Sequence, residues 1–167
     1  MGVSCFKIEL LENQEINFEN ITYNIYTFCT DDFMLEPSAI KFLSDQGFDF
    51  NKNFRCGVGY HKGNDRETDK QTKEYIRCLF SQISLLEIPI VLHNGFIDLI
   101  FLYENFYAKC PENSMKFVAD LSEIFKAGIF DTKYIAEYHA KSNASFLEYL
   151  FKIRYANSYP RNSLIWY

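Results

Sequence analysis

The chain has 167 residues, a length that suits one domain with its own core and is short for two. Hydrophobic residues make up 48% of the chain and aromatic residues 18%, which excludes disordered, collagen-like and low-complexity proteins. The net charge is −5, so no general basic field attracts nucleic acid. Any RNA binding must therefore come from a local site or from metal ions.

The first elements in chain order are a pair of strands and a helix. Residues 3–10 and 21–29 are rich in β-branched and aromatic side chains, and a polar stretch separates them, which predicts an antiparallel pair. A short helix is predicted to begin at Pro37 and to stop at Gly47. Residues 48–60 then favour a loop that carries aromatic side chains.

The second half of the chain alternates helices and strands. The clearest helix has apolar residues at positions 76, 79, 80, 83 and 86, which form one stripe, and Pro89 ends it. We then predict a strand buried on both faces at 88–92, a helix at 97–107, a helical segment at 117–125, a brief strand at 129–131 and one or two helices within 134–150. This order predicts an α/β fold with a sheet of mixed direction, in one domain over residues 1–152, with an irregular tail over residues 153–167.

The sharpest signal for chemistry lies where the strand at 88–92 ends. His93 and Asn94 follow the strand, and Asp98 falls in the first turn of the next helix. Ligands gather at the carboxyl ends of strands in α/β sheets, and a carboxylate that a helix dipole keeps ionised suits a hard cation such as Mg²⁺. The alternative is that Asp98 is an ordinary helix-start acid and that His93 and Asn94 are turn residues.

Two further clusters contain acids. Asp65 and Glu67, next to His61, fit a paired-carboxylate pattern, but their polar flanks favour a solvated loop over a rigid metal site. Asp131 and Lys133 follow the strand at 129–131, so we expect them beside Asp98 at one sheet edge, where Lys133 would meet a phosphate as a point charge. A plain Asp cap on the following helix fits equally well.

The aromatic residues invite a base-stacking interpretation. Those at helical spacing, such as Phe101, Phe106 and Tyr107, are predicted to be core residues instead. Phe48 and Phe50 lie in the predicted loop and are the exceptions that we consider for RNA binding.

Several segments, in order, resemble the CAF-type deadenylases, which are DEDD 3′-to-5′ exoribonucleases. They are the stretch that begins at Glu36, residues 46–52 and 57–65, and the turn from His93 to Asp98. Residues 105–107, 117–121 and 128–134 are most similar to the branch of the Target-of-EGR nuclear exoribonuclease, and poly(A)-specific ribonuclease is a more distant likeness. The resemblance covers about residues 2–151.

The resemblance implies an RNase H-like mixed sheet flanked by helices, and phosphodiester hydrolysis by two Mg²⁺ ions. It implies that Asp98 is one of four metal-binding carboxylates and therefore catalytic. Asn94, with His93 beside it, would contact the terminal nucleotide, and Lys133 would approach the backbone phosphate. Phe48 and Phe50 would line the substrate cleft.

The sequence also departs from that family. The family's Asp-x-Glu pair, on its first strand, and its later His…Asp motif have no evident counterpart, so three of the four acids and the histidine base are unaccounted for. One carboxylate does not hold two divalent ions. We therefore expect a fragment that lacks the first, central strand of the sheet and is inactive by itself.

The expected partner is the 3′ end of RNA, specifically adenosine tails of small nuclear RNA, with residence in the nucleus implied by the resemblance alone. Alternatives are a non-catalytic RNA-binding or protein-interaction module, or a cytoplasmic mRNA poly(A) deadenylase. We expect no DNA specificity, and no membrane partner because polar residues interrupt the most apolar segment, at 88–103. The scattered cysteines are poor evidence for disulfides or a zinc site.

Overall fold

The computed structural model describes the backbone of residues 1–12, 16–63 and 75–158, with side chains as far as residue 153. The chain divides into two compact units, Met1–Leu79 and Phe80–Tyr167. Helices and strands occur in both, which confirms the predicted α/β composition. In the described ranges, no helix is long and apolar enough to cross a bilayer.

The first unit begins with an antiparallel hairpin. Strand β1 (Gly2–Leu10) pairs along its whole length with β2 (Ile16–Asn24), and Leu10 lies opposite Ile16. The predicted antiparallel pair is thus confirmed, but its second strand stops five residues short of the predicted end. Residues 27–29 of the predicted strand pair with residues 58–60 instead.

Two short strands of the first unit run parallel. Strand β3 (Thr27–Cys29) pairs with β4 (Val58–Tyr60), and helices α1 (Pro37–Asp45) and α2 (Phe50–Cys56) lie between them in sequence. The loop predicted over residues 48–60 is therefore wrong. The missed signal is a helix cap, since the Asp49 side chain accepts the Lys52 N–H at 2.9 Å.

Helices and a second parallel pair follow in the remaining part of the chain that the structure describes. The elements are α3 (Tyr75–Leu85), β5 (Ile90–Leu92), α4 (Phe96–Phe106), α5 (Ser114–Ile124), β6 (Ile129–Asp131), α6 (Thr132–Tyr134), a π-helical turn (Ile135–His139) and α7 (Leu147–Ser158). They confirm the predicted alternation of helices and strands. The exception is the expected burial of β5 on both faces, because Val91 is 62% exposed.

The end of the last helix bears on the predicted tail. Helix α7 continues to Ser158, whereas regular structure was expected to end at residue 152. The division into one domain and a tail stays a prediction.

The buried side chains of the second unit are mostly aromatic and aliphatic residues of its helices. Phe80 meets Phe125 edge-on with ring centroids 5.9 Å apart, and Tyr103 meets Phe117 at 5.2 Å. Phe106 is buried as predicted, but Phe101 is 53% exposed, contrary to the prediction. Helical spacing alone does not show which side of α4 is covered.

The strands of the described part of the chain form three two-stranded sheets, β1–β2, β3–β4 and β5–β6. One of these sheets is antiparallel and two are parallel, so the single sheet of mixed direction stays a prediction. The RNase H-like arrangement and the absence of its central strand stay predictions.

Candidate functional site

The site lies at the carboxyl ends of the parallel strands β5 and β6. Leu92 and Asp131 are the last residues of these strands and are paired in register. The segments that follow them are therefore neighbours, and Lys133 Nζ lies 3.4 Å from Asn94 Oδ1. Two of the residues predicted for RNA binding thus come together across 39 positions of sequence.

The Asp131 carboxylate holds this arrangement. Its Oδ1 accepts the N–H groups of Asn94 at 3.0 Å and Lys133 at 2.8 Å, and its Oδ2 accepts that of Gly95 at 2.9 Å. Burial alone would raise the pKa of Asp131, but these backbone hydrogen bonds outweigh it and lower the pKa. The carboxylate therefore caps the helix and ties the two strand ends together.

The turn after β5 has a constrained backbone. Asn94 has a φ of 57°, in the left-handed region that few residues other than glycine adopt. A Cβ on Gly95 would lie 2.5 Å from the Leu92 Cβ, so a side chain there has no room. Left-handed residues cluster at functional sites when their surroundings enforce them, and Asp131 supplies that enforcement here.

His93 is held from one side of its ring. Its Nδ1 lies 2.9 Å from Thr132 Oγ1, and that hydroxyl donates to the Leu92 carbonyl oxygen at 3.0 Å. His93 is half-buried. Thr132 was not among the predicted site residues, because nothing in its own segment shows that its hydroxyl reaches the Leu92 carbonyl oxygen.

Asp98 lies in the first turn of α4, as predicted, and is exposed. Its carboxylate has no hydrogen bond or ion pair with any residue that the structure describes. Asp131, in contrast, accepts hydrogen bonds from backbone N–H groups.

The acids of this site do not by themselves fit a pair of metal ions. Nowhere in the described ranges do three or more His, Cys, Asp or Glu residues converge as metal ligands. Two Mg²⁺ ions need several oxygen ligands, and Asp98 supplies a single free carboxylate. The predicted cluster of Asp65 and Glu67 lies outside the described residues.

Phe48 and Phe50 belong to the first unit. Their ring centroids are 4.9 Å apart, and Phe48 also meets Tyr26 at 6.0 Å. Lys52 Nζ lies 5.2 Å from the centre of the Tyr26 ring. Both phenylalanines are half-buried, so this aromatic cluster packs against itself while part of it remains accessible.

The first unit repeats the threonine–histidine contact. Thr30, directly after β3, donates its hydroxyl to the Tyr60 carbonyl at 3.0 Å and lies 2.9 Å from Nδ1 of His61, directly after β4. Asp31, rather than Asp65, is the acid beside His61 among the described residues, at 3.4 Å. Burial raises the pKa of Tyr60 to about 12, and Cys29 adds to that shift.

Two comparisons with known proteins bear on this site. A family model described as CAF1 family ribonuclease matches residues 1–75 and 65–163. The pre-piRNA 3′-exonuclease trimmer of Bombyx mori is 34% identical over 93 residues, which are 54% of this chain and 15% of that protein. The matched region is thus a small part of that relative's length.

Proposed function

The chain belongs to the CAF1 ribonuclease family, and from that premise we propose that it binds the 3′ end of RNA as part of a 3′-to-5′ exoribonuclease. The observation that carries the proposal is the contact between Lys133 Nζ and Asn94 Oδ1 at the strand ends. It places a cation and an amide side by side, and Asp98, which has no partner among the described residues, follows in the first turn of α4.

The two side chains suit different parts of a nucleotide. The Lys133 ammonium is a compact charge on a flexible stem and would bind a backbone phosphate. The Asn94 amide has both donors and an acceptor and would contact the terminal nucleotide. The left-handed backbone of Asn94 and the Asp131 hydrogen bonds fix where that amide is presented.

We further propose that this chain alone binds RNA without hydrolysing it. Asp98 is the carboxylate available at the site, and the described residues bring no second and third metal ligand to it. The proposal thus combines the expected exoribonuclease family with the alternative of a non-catalytic RNA-binding module.

From the resemblance we further propose that the substrate is the adenosine tail of small nuclear RNA and that the protein resides in the nucleus. We also propose that the chain is most similar to the Target-of-EGR branch and that its sheet is RNase H-like. The Bombyx mori relative is named as a 3′-exonuclease, which supports action at the 3′ end of RNA. The parallel pairing of β5 and β6, with the site at their carboxyl ends, supports the proposal of an RNase H-like sheet.

The test of binding uses the full chain and an end-labelled adenosine oligoribonucleotide. Fluorescence anisotropy should show that Lys133→Ala weakens binding severalfold and flattens its dependence on salt, because one phosphate contact is lost. Lys126→Ala is the matched control, since Lys126 pairs with Glu87 at 3.0 Å outside the site. Equal affinity of both variants and the unaltered chain would contradict the proposal.

The test of hydrolysis uses the same RNA with magnesium and resolves its length on a gel. The proposal expects no shortening by the chain alone. Shortening that Asp98→Ala abolishes would overturn the non-catalytic part of the proposal, because Asp98 would then act within a complete set of ligands.

A further inference from the structure

The Thr132 hydroxyl lies within hydrogen-bond distance of two groups. A threonine hydroxyl has one hydrogen, and the Leu92 carbonyl oxygen, 3.0 Å from Thr132 Oγ1, can only accept. Both contacts are hydrogen bonds at once only if the hydroxyl donates to Leu92 and accepts from His93, whose Nδ1 lies 2.9 Å away. Nδ1 of His93 must then carry a hydrogen.

This arrangement determines what the other ring nitrogen does. In a neutral imidazole one nitrogen donates and the other accepts. With the hydrogen on Nδ1, Nε2 of His93 carries a lone pair. In the part of the chain that the structure describes, Nε2 has no hydrogen-bond partner of its own.

The repeat in the first unit shows that the contact is a feature of these strand ends. In each parallel pair, a threonine directly follows one strand. Its hydroxyl donates to the carbonyl of the last residue of the other strand, and it contacts the histidine that comes next after that strand. In both, an aspartate accepts the N–H of the residue after the histidine, at 2.8 Å for Lys62 and 3.0 Å for Asn94. The pair at His93 is the one beside the candidate site.

We propose that Thr132 is a positioning residue that holds His93 in the Nδ1–H tautomer, with Nε2 unprotonated. Nε2 then accepts a hydrogen bond from a ribose hydroxyl of the RNA. The second half rests on the proposed function. A ribose hydroxyl is the favoured donor because an unprotonated ring nitrogen accepts from a hydroxyl, and the 2′-hydroxyl is the group by which a protein tells RNA from DNA. His93 neighbours Asn94, which would contact the same terminal nucleotide.

The first experiment measures the tautomer directly and needs no RNA. Nitrogen-15 NMR of the imidazole rings in the full chain, assigned against a His93→Gln variant, distinguishes a protonated from a bare nitrogen. We expect Nδ1–H for His93 in the unaltered chain and in Thr132→Ser, which keeps the hydroxyl. In Thr132→Val, which removes the hydroxyl at nearly equal volume, the Nε2–H form should gain population.

The second experiment measures affinity for three oligo(A) probes. They end in adenosine, in 2′-deoxyadenosine or in 3′-deoxyadenosine, so they separate the two ribose hydroxyls. Thr132→Val should bind the all-ribose probe about fivefold more weakly than the unaltered chain does, which is the value of one hydrogen bond. The probe that lacks the hydroxyl bound by His93 should have the same affinity for Thr132→Val and for the unaltered chain. Thr30→Val, the same change in the repeated contact, should leave the affinity unaltered.

The outcomes separate the two halves of the inference. A bare Nδ1 in the unaltered chain overturns the role of Thr132, whatever the variants do. The expected tautomer with an equal Thr132→Val loss on all three probes overturns the ribose hydroxyl and indicates a base contact instead. If no probe binds the unaltered chain, the proposed function fails and the ribose contact fails with it, while the NMR result still decides the role of Thr132.

Discussion

The Asp131 carboxylate accepts the Gly95 N–H at 2.9 Å across 36 positions of sequence. The bond joins the end of β6 to the residue that precedes α4. Because Asp131 also accepts from Lys133 at 2.8 Å, one side chain sets the positions of both segments that form the candidate site. The stability of this region and the geometry of the site therefore depend on the same group.

Replacing Asp131 by Asn should destabilise the fold by about 1–2 kcal/mol, because an amide offers a single uncharged oxygen to the backbone donors. The pKa of Asp131 is lowered in the folded state, so its contribution is present above the unfolded-state pKa of about 4 and is lost as the pH falls further. Urea unfolding followed by circular dichroism at pH 7 and pH 3 measures both effects.

The control for Asp131→Asn is Asp32→Asn, at an exposed acid whose loss should change stability by less than about 0.5 kcal/mol. The difference between Asp131→Asn and the unaltered chain should shrink at pH 3. A difference that grew on acidification would contradict the cause assigned to the lowered pKa.

Replacing Gly95 by Ala should cost about 1–3 kcal/mol, because the new Cβ would lie 2.5 Å from the Leu92 Cβ and the turn would have to shift. Gly2→Ala is the matched control, since a Cβ there meets its nearest atom at an ordinary 3.6 Å. Thermal unfolding of the two variants gives the comparison, and equal losses would show that the contact at Gly95 is relieved without strain.

Local sequence signals predicted the elements of the fold well where a single segment carries them. The apolar stripe of α3, the stop at Gly47 and the brief strand at Ile129–Asp131 all follow from spacing or backbone preference. Pairing was less predictable. Residues 27–29 have the composition of a strand whichever partner they take, and composition does not reveal that β4 is that partner.

The candidate site was predictable for the same reason and to the same extent. Polar residues after a short apolar strand indicated His93, Asn94 and Lys133, and the parallel pairing places them together. The role of Thr132 depends on which carbonyl oxygen its hydroxyl reaches, and that oxygen belongs to Leu92, 40 positions away in sequence. That relation exists only after the strands pair, so no pattern within one segment expresses it.

The hairpin and the core should respond differently to one substitution. Ile8 is 71% exposed on β1 and Ile76 is 3% exposed on α3. Ile8→Thr should change the free energy of unfolding by less than about 0.5 kcal/mol, because threonine keeps the β-branch and little burial is lost. Ile76→Thr should cost about 2–4 kcal/mol, since it buries a hydroxyl and leaves a cavity.

Urea midpoints of these two variants make the measurement, with the unaltered chain beside them. A loss at Ile8 as large as that at Ile76 would mean that a surface covers the hairpin face in solution. The ratio of the two losses therefore reports on the exposure of β1 directly.

Replacing Tyr103 by Phe should cost about 1–2 kcal/mol of folding stability near pH 8, because the buried phenol donates to Asp120 Oδ2 at 2.6 Å.

Burial raises the pKa of Tyr103, and the hydrogen bond to Asp120 adds to the shift. A raised pKa means that the unfolded chain loses its proton first, so the contribution of the phenol is present below about pH 10 and falls above it. Urea unfolding at pH 8 and pH 10.5 measures this effect. Between the two pH values the unaltered chain should lose more of its free energy of unfolding than Tyr103→Phe does. The control is Tyr138→Phe, at an exposed ring, which should match the unaltered chain at both pH values. A gap between Tyr103→Phe and the unaltered chain that widened at high pH would contradict burial of a neutral phenol.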